Sequence, residues 1–428
     1  MSASSSSPPR EWVEPETGYR VFRLSEVDGS SSLYFNFNGY TPEGDYLVIS
    51  TPNGLSKVGI KDPTLPLSEI VPLDRPFNFL FTGRETRTAY YELLRDASRD
   101  EGGKTIMAVD VDTGVTRKIA EVTSGSIQSI NADETLLGGV EADPAVRPDA
   151  QEAFAKRDPR YDQANYQARH PDGRPMTYHE AKGYHMIRRF EARIPMKLFV
   201  IDTRTGERRD VYEARDWLNH LLFSPTDPNV LLFCHEGPWH RLDRLWVIRV
   251  DLPLGQAQPT CIHKRTMNME IAGHEWWSRD GRTVWYDLQL PKGKDFFVAG
   301  YEVATGKRTW YHLERDEWSV HFHSSNDDKL FAGDGGAENM VAKAKDGRWL
   351  YLFDLRMVED DADGTRVDDP NLIQGGWLAS RKLVNMKSQD YRLEPNVNFT
   401  PDGRYLVFRA NFHGGVQTYA VDLASTAD

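Results

Sequence analysis

The sequence Thr-Pro-Asp-Gly at residues 400–403, followed by Tyr-Leu-Val-Phe at residues 405–408, joins a tight polar turn to a short apolar strand. Related segments begin at residues 41, 131, 224, 278 and 325, and a degenerate copy lies near residue 82. A second kind of segment alternates with them: an apolar strand ends in Asp before a Thr-Gly turn, as at residues 198–206. Gly and Asp supply the backbone geometry that hairpin turns need.

These alternating segments make up about seven units, each of four short antiparallel strands. Repetition at this spacing predicts an all-β fold, a seven-bladed β-propeller. We expect residues 1–17 to be a disordered N-terminal tail and residues 18–428 to form one propeller, in which the C-terminal strands complete a blade with the N-terminus. Residues 145–193 are rich in Arg, Asp, Gln and His. They are predicted to be an insertion over one face, with helical patches at 149–157 and 178–190.

Composition limits the partners that this 428-residue chain can have. Its net charge of −12 argues against nucleic acid or an anionic membrane, so an anionic ligand would need a local basic pocket. The two cysteines, Cys234 and Cys261, are too few for a disulfide framework. No apolar stretch is long enough to span a membrane, and the Ser/Pro-rich start has no signal-peptide core. We therefore expect a cytoplasmic protein; these patterns do not bear on its oligomeric state.

Two segments beside predicted strands combine His, Glu, Arg and Trp. Residues 234–246 read Cys-His-Glu-Gly-Pro-Trp-His-Arg-Leu-Asp-Arg-Leu-Trp, and residues 273–278 read Gly-His-Glu-Trp-Trp-Ser. Cationic and aromatic groups that converge at strand ends suit a site for an acidic sugar. The alternative interpretation is that the tryptophans belong to the core and the histidines are hydrogen-bonded structural groups.

These two segments, together with Phe-Ala-Gly-Asp-Gly at residues 331–335 and Phe-Thr-Pro at residues 399–401, resemble the oligogalacturonate lyases of the β-propeller type. The resemblance extends from about Gly18 to the C-terminal blade. Members of that family cleave short galacturonides by β-elimination and leave a 4,5-unsaturated uronate. The reaction needs a base for the C5 proton, for which neutral His is suited, and a metal ion or Arg to stabilise the charge that develops.

The resemblance implies specific roles for three residues. It places the catalytic His of the family on His274 and the catalytic-site Arg on Arg244. It places one metal ligand on His321. His323 lies two residues further along the same predicted strand, so it would point the same way and could assist as a ligand.

The remaining metal ligands of the family form a Gln-x-x-His-x-His run, and this chain departs from it. Tyr391, Glu394 and Asn396 occupy those three positions. Glu394 and Asn396 can supply oxygen ligands, so a His, Glu and Asn set would bind a divalent ion, manganese in the first place and calcium as the alternative. The departure also leaves open that the substrate is another uronate-containing oligosaccharide.

Other polar residues on the same segments are candidates for contacts to an acidic oligosaccharide. They are His235, His220, Arg193, Gln289 and His413. The expected function is a metal-assisted lyase for short uronate-containing oligosaccharides. The alternative is a non-catalytic propeller, similar to the TolB scaffolds, that binds protein or sugar.

Overall fold

The computed structural model of the protein describes residues 9–95, 103–143, 145, 170, 172–174, 178–338, 340–342, 344–358, 369 and 371–425. These residues form 28 β-strands and one α-helix, α1 (Tyr178–Ala192). The strands, in chain order, are β1 (Glu11–Val13), β2 (Arg20–Arg23), β3 (Tyr46–Thr51), β4 (Gly54–Gly59), β5 (Ser68–Pro72), β6 (Phe77–Thr82), β7 (Thr88–Leu94), β8 (Lys104–Asp110), β9 (Thr116–Val122), β10 (Ser126–Ile130), β11 (Leu136–Ala142), β12 (Met196–Asp202), β13 (Arg208–Ala214), β14 (Trp217–Phe223), β15 (Val230–Glu236), β16 (Leu245–Arg249), β17 (Thr260–Cys261), β18 (Ile271–Trp277), β19 (Thr283–Gln289), β20 (Phe296–Glu302), β21 (Arg308–His312), β22 (Phe322–Ser324), β23 (Leu330–Gly333), β24 (Trp349–Met357), β25 (Ile373–Asn385), β26 (Asn398–Phe399), β27 (Tyr405–Ala410) and β28 (Gln417–Asp422).

The strands of the described residues form six hydrogen-bonded sheets. Their strand orders are β1-β2-β28-β27-β26, β3-β4-β5, β6-β7-β8-β9, β10-β11-β12-β13, β14-β15-β16-β17 and β18-β19-β20-β21-β25-β24-β23-β22. Consecutive strands within each unit pair antiparallel, as hairpins do. In the eight-stranded sheet, two such antiparallel units meet at one parallel pair, in which Arg308–His312 of β21 lies beside residues 373–377 of β25.

The first strands, in chain order, of successive antiparallel units lie next to one another. Strand β10 contacts both β6 and β14, and β22 contacts β26. The later strands of each sheet lie progressively further from these contacts, so the sheets surround a common central channel. The expected all-β propeller arrangement is therefore confirmed.

The core lies between neighbouring sheets, and this explains the apolar runs in the sequence. In β15, Leu231, Leu232, Phe233 and Cys234 are all fully buried although their side chains alternate between the two faces. A strand alternates apolar and polar residues when one face meets water. Here each sheet is packed on both faces, so consecutive apolar residues are all in the core.

The two ends of the chain meet in one sheet. Strand β2 pairs antiparallel with β28, and Val21 lies opposite Val421. This confirms the predicted closure between the N- and C-terminal segments. The sheet also includes β1, which lies inside the range predicted as a tail, because Trp12 packs its ring against the rings of Phe412, His413 and Tyr419.

The helix α1 covers the helical patch predicted at residues 178–190. Glu180 in its first turn and Arg189 in its last turn complement the helix dipole. Arg189 lies 4.3 Å above the Trp217 ring, and Phe190 lies against Gly237, so α1 sits over the starts and ends of strands near the channel mouth. The helical patch predicted at 149–157 lies outside the described residues. Among the residues described, no helix is both long and apolar enough to cross a membrane.

The sheet that joins the chain ends yields a test of the fold. Leu406 in β27 is fully buried opposite Val421, so Leu406→Ala should lower the free energy of unfolding by about 2–5 kcal/mol through lost burial and a cavity. Leu254→Ala is the matched control, because Leu254 is 47% exposed and should change stability by less than about 0.5 kcal/mol. Urea unfolding followed by tryptophan fluorescence measures both; similar changes in the two variants would contradict the packing described.

Candidate active site

Two inner strands each contain a bulge that redirects a histidine. The register of β14 shifts between Asn219 and Leu222, and that of β18 shifts between Gly273 and Trp276. At the bulges, His220 and His274 adopt positive φ angles of 53° and 45°. Such a conformation costs a non-glycine residue about 1–3 kcal/mol and is concentrated at functional sites. The bulges therefore mark this end of the channel as a candidate site.

His274 is held by a buried carboxylate. Its Nδ1 lies 2.9 Å from Oδ1 of Asp287, which faces Gly273 across the β18–β19 pair and is almost fully buried. When Nδ1 donates its proton to Asp287, the other nitrogen, Nε2, carries a lone pair. Nε2 has no hydrogen-bond partner among the described residues, and the Trp239 ring lies 5.1 Å away, edge to face. His274 is thus a fixed ring with an open basic nitrogen.

His321 has the same kind of support but different surroundings. Its Nδ1 lies 2.7 Å from Oδ2 of Asp334, and its backbone N–H donates to Oδ1 of the same carboxylate at 2.9 Å. Its Nε2 lies 2.9 Å from the Tyr34 hydroxyl and 3.7 Å from Oε2 of Glu394. Burial tends to lower the pKa of His321, but the neighbouring charge of Asp334 outweighs it and the pKa is raised. The rings of His274 and His321 are 4.8 Å apart, centroid to centroid.

Arg244 occupies the centre of a buried cluster of charges. Its Nη1 donates to Oε2 of Glu275 at 2.5 Å, and its Nη2 donates to Oε2 of Glu236 at 2.9 Å. The guanidinium lies 4.8 Å from the centroid of the Trp239 ring, whose Nε1 donates to Glu236. Burial tends to raise the pKa of Glu275, but Arg244 and His220 hold it well below its usual range.

His220 completes the cluster around Arg244. Its ring nitrogens lie 3.3 Å from Oε1 of Glu275 and 3.5 Å from Oε2 of Glu236. The Cys234 thiol donates to Glu275 at 3.2 Å, and burial raises the pKa of that thiol well above its usual range. The cysteine is therefore a structural hydrogen-bond donor, because a nucleophilic thiol needs a lowered pKa.

The charges at this end of the channel are unequal. Five carboxylates belong to the contacts above, those of Glu236, Glu275, Asp287, Asp334 and Glu394. Three basic side chains act on the same groups, those of Arg244, Lys182 and Arg409. Apart from the histidines, the carboxylates outnumber these basic groups by two, an excess that a bound cation would offset. Burial tends to raise the pKa of Glu394, but His321 and then Lys182 of α1 hold it below its usual value.

Two neighbouring atoms could share such a cation, and the Asn396 amide is a third candidate ligand. Nε2 of His321 and Oε2 of Glu394 are 3.7 Å apart, close enough for one ion to contact both at ordinary ligand distances. Oδ1 of Asn396 is buried and has no hydrogen-bond partner among the described residues. No group of three or more His, Cys, Asp or Glu side chains in the described part of the chain has metal-holding geometry. Any ion here would therefore depend on the amide of Asn396 or on non-protein ligands as well.

Comparison with known proteins identifies the family of the chain. The family model for oligogalacturonate lyase matches residues 164–427, more than half of the chain. The chain belongs to the oligogalacturonate lyase family. The oligogalacturonide lyase of Pectobacterium atrosepticum is 25% identical over 235 residues, which are 52% of this chain and 54% of that protein. The oligogalacturonate lyase of Dickeya dadantii is 25% identical over 230 residues, with the same coverage. The chain thus spans about half the length of the curated relatives it matches.

Solved structures of the same family share the fold. An oligogalacturonate lyase in complex with manganese superposes with a TM-score of 0.71 at 20% identity, over 96% of this chain and 95% of that one. The oligogalacturonate lyase from Vibrio parahaemolyticus gives a TM-score of 0.70 at 19% identity, over 96% of each chain. At an identity this low, the superposition shows only that the propeller fold is shared.

The family resemblance pointed to His274, Arg244, His321, Glu394 and Asn396, and the structure brings all five to one end of the channel. The sequence also suggested His220, which lies in the Arg244 cluster. His323 lies elsewhere: its Nδ1 accepts a hydrogen bond from the Phe399 backbone N–H at 3.4 Å, and its ring lines a cavity further along the channel. The contacts of His323 therefore differ from those of His321, although the two residues were expected to point the same way.

The other predicted sugar-binding residues make separate contacts. His235 Nδ1 lies 3.2 Å from Asp216, which also forms an ion pair with Arg193, so these two candidates meet each other through Asp216. The Gln289 side chain is buried and accepts from the Gly293 backbone at 2.7 Å, an interaction that closes a turn. His413 lies 3.0 Å from the Tyr419 hydroxyl in the sheet that joins the chain ends. None of these contacts involves His274 or His321.

Sequence reasoning missed several residues of the site. Glu236 and Glu275 each follow a histidine in the two motif segments, so a signal for them was present. Asp334 lies in the Gly-Asp-Gly segment, which supports the family resemblance but by itself indicates no role for the aspartate. Tyr34 and Lys182 come from distant parts of the chain, and nothing in the local pattern indicates that they approach His321 and Glu394.

The Arg244 cluster yields a stability prediction. Glu275→Gln leaves Arg244 short of one buried counter-charge and should lower the free energy of unfolding at pH 7 by about 3–5 kcal/mol. Because the folded-state pKa of Glu275 is depressed, the stability that it contributes is present above its ordinary pKa of 4.5 and is lost as the pH falls towards the depressed value. The difference between wild type and variant should therefore narrow below pH 4.5.

Denaturant unfolding at a series of pH values checks this prediction. Glu213→Gln is the control, since the Glu213 side chain is 52% exposed and pairs only with Lys197 among the described residues. It should change stability little at any pH. A Glu275→Gln variant as stable as the control at pH 7 would show that the cluster does not depend on this carboxylate.

Proposed function

We propose that the protein is a lyase that cleaves short uronate-containing oligosaccharides, of the oligogalacturonide kind, by β-elimination. The observation that carries the proposal is His274, whose Nδ1 is fixed by Asp287 and whose Nε2 is open beside the His321 and Glu394 pair. Membership of the oligogalacturonate lyase family and the names of the two curated relatives support the same reaction.

His274 acts as the base. Its Nε2 takes the C5 proton of the uronate, the C5–H electrons form the C4–C5 double bond, and the bond from C4 to the leaving oxygen breaks. The carboxylate of Asp287, 2.9 Å from Nδ1, holds the required tautomer and stabilises the imidazolium that forms. The product is a 4,5-unsaturated uronate.

Tyr34 is suited to supply a proton to the leaving oxygen. Burial and then the charge of Glu394 raise the pKa of Tyr34 well above its usual value, so the hydroxyl is protonated at neutral pH. The hydroxyl lies 2.9 Å from Nε2 of His321 and donates to it when Nδ1 keeps its proton for Asp334; the hydroxyl would be free for the leaving oxygen when Nε2 binds an ion. A hydroxyl that keeps its proton at neutral pH can donate it as the alkoxide leaves.

Arg244 has a different role from the one that the resemblance implies at first sight. Both terminal nitrogens of its guanidinium already donate to Glu275 and Glu236, and the side chain is 1% exposed. Its fork is therefore not open for a bidentate contact to the uronate carboxylate. We assign it the role of a positioning residue that fixes Glu275, Glu236 and the Trp239 ring next to His274.

The positive charge that balances the uronate carboxylate must then come from the groups around His321. Nε2 of His321, the Glu394 carboxylate and Oδ1 of Asn396 would hold a divalent ion, and Lys182 of α1 adds a positive charge near Glu394. When bound, the ion supplies positive charge that stabilises the enediolate-like charge on the uronate. The related lyase structure in complex with manganese supports manganese as that ion.

We also propose a number of blades for the propeller. We count seven blades, because the eight-stranded sheet consists of two antiparallel units and the other five sheets contribute one each. The three-stranded sheet is extended inward by the bridges from Ser31 to Ser50 and from Tyr40 to Leu47. The cytoplasmic location expected from the sequence stays a prediction.

Removing the base tests the proposed reaction. His274→Ala should lower the turnover of digalacturonate by at least about 10²–10⁴-fold, the usual contribution of a positioned general base. Ultraviolet absorbance of the unsaturated uronate measures the rate. His312→Ala is the matched control, because the His312 side chain is 40% exposed at the far edge of its sheet unit, and it should turn over like wild type.

The outcomes separate the lyase from a non-catalytic propeller. Wild-type protein that gives no absorbance with digalacturonate or other uronate oligosaccharides would favour a binding scaffold. Turnover near the wild-type rate in His274→Ala would remove that residue from the mechanism while leaving a lyase.

The proposed ion site has its own test. Glu394→Gln keeps the shape of the side chain but removes a charged ligand, so it should weaken manganese binding at least about tenfold. Metal analysis after equilibrium dialysis against manganese reads this out without an activity assay. Glu191→Gln, at a 63% exposed side chain on α1, is the control. Equal manganese content in both variants would contradict the assignment of Glu394.

A further inference from the structure

A cavity with polar groups in its wall lies further along the channel than the candidate active site. In each inner segment it is lined by residues that come later in the chain than the site residue: Asn38 follows Tyr34, Phe223 follows His220, Arg279 follows His274, Asn326 follows His321, and Phe399 follows Asn396. The same order in every segment means that the inner strands run in the same direction. The cavity and the His274 site therefore lie at successive levels of one channel.

Two arginines face this cavity without a counter-charge. Arg84 follows β6 and Arg279 follows β18. Neither guanidinium forms an ion pair or a hydrogen bond with any of the described residues. Both side chains line the same cavity, and burial and then the like charge of Arg279 lower the pKa of Arg84 to about 10. Arg84 is half-buried and Arg279 is exposed, so both guanidiniums can be reached by a ligand that enters the cavity.

The backbone around Arg84 is held in place from the cavity side. The Asn38 amide donates to the carbonyl oxygens of Tyr40, Thr82 and Gly83, at 3.0, 2.9 and 3.2 Å. These bonds fix the chain at the residue immediately before Arg84. The backbone of Arg84 is therefore fixed, and its side chain starts from a defined position in the channel wall.

Two further groups can donate hydrogen bonds into the cavity. The hydroxyl of Thr82 is buried and has no hydrogen-bond partner among the described residues. Nδ1 of His323 accepts from the Phe399 backbone, which places the ring proton on Nε2. Burial and then the charge of Arg279 lower the pKa of His323 to about 4, so the ring is neutral at pH 7 and acts only through that N–H.

The remaining wall is aromatic. Phe35, Phe81, Trp276 and Trp277 line the cavity beside the polar groups. Aromatic walls exclude water and strengthen charge interactions inside the cavity. Oxyanions are the groups that guanidinium forks, hydroxyl donors and ring N–H donors bind together.

We propose that this cavity binds an oxyanion, a carboxylate or phosphate group of a small molecule, between Arg84 and Arg279. The site shares no residue with the group around His274, and it does not rest on the lyase reaction. The ligand would remove the repulsion between the two guanidiniums and satisfy the Thr82 hydroxyl. Binding should therefore stabilise the fold.

Calorimetric titration of the full chain with inorganic phosphate, and separately with monomeric galacturonate, tests the proposal. Arg84→Gln and Arg279→Gln should each weaken binding of the effective anion at least about tenfold, since each removes one charged donor. Arg204→Gln, at a 77% exposed side chain, is the control and should bind like wild type. The two anions distinguish a phosphate ligand from a carboxylate ligand.

Thermal unfolding gives an independent readout. Without added anion, Arg84→Gln and Arg279→Gln should unfold at or above the wild-type temperature, because each removes a repulsion and breaks no ion pair. The effective anion should raise the unfolding temperature of the wild type and of His274→Ala, but not that of the two arginine variants. If neither anion binds, or if binding is unchanged in both arginine variants, the proposal is wrong.

Discussion

The ion pairs of Arg244 with Glu236 and Glu275 are the interaction on which the rest of the candidate site depends. Glu236 ends β15, Arg244 precedes β16, and Glu275 lies in β18, so the three residues link two neighbouring sheets where the inner strands bulge. A buried guanidinium is tolerated only with compensation, and removing one partner is far more costly than the pair is stabilising. This constraint holds the mouth of the channel in one arrangement.

The same ion pairs limit what Arg244 can do. Its terminal nitrogens are bound to carboxylates, and its planar face lies over Trp239, whose ring in turn lies against His274. Arg244 therefore acts on His274, the proposed base, through position, and the charge of Arg244 is already balanced. An anionic ligand at this mouth would need positive charge from elsewhere, and the His321 and Glu394 pair is placed to hold a cation that would supply it.

Two histidines with the same support differ in what their second nitrogen meets. His274 and His321 both direct Nδ1 at a buried aspartate, which fixes their tautomer. Nε2 of His274 has no partner among the described residues, whereas Nε2 of His321 faces the Tyr34 hydroxyl and Glu394. One ring is therefore suited to take a proton and the other to hold a cation. Further along the channel basic side chains predominate, since Arg84 and Arg279 face a cavity without acidic partners.

The sequence by itself determined the scaffold and part of the site. Turn and strand segments repeat because each sheet is built locally, so the propeller and its closure could be predicted from spacing. His274, His321 and Arg244 could be named as candidates because short motifs resemble those of the family, and Glu394 because it stands at a ligand position where the chain departs from the family run. Tertiary structure alone decided the rest: that Arg244 is bound on both sides, that Tyr34 and Lys182 reach the site, that His323 has different contacts from His321, and that Arg84 lies near Arg279. The physical reason is that contacts between sheets, bulges that break the two-residue alternation, and the balance of buried charge all depend on residues far apart in the chain, which local patterns do not encode.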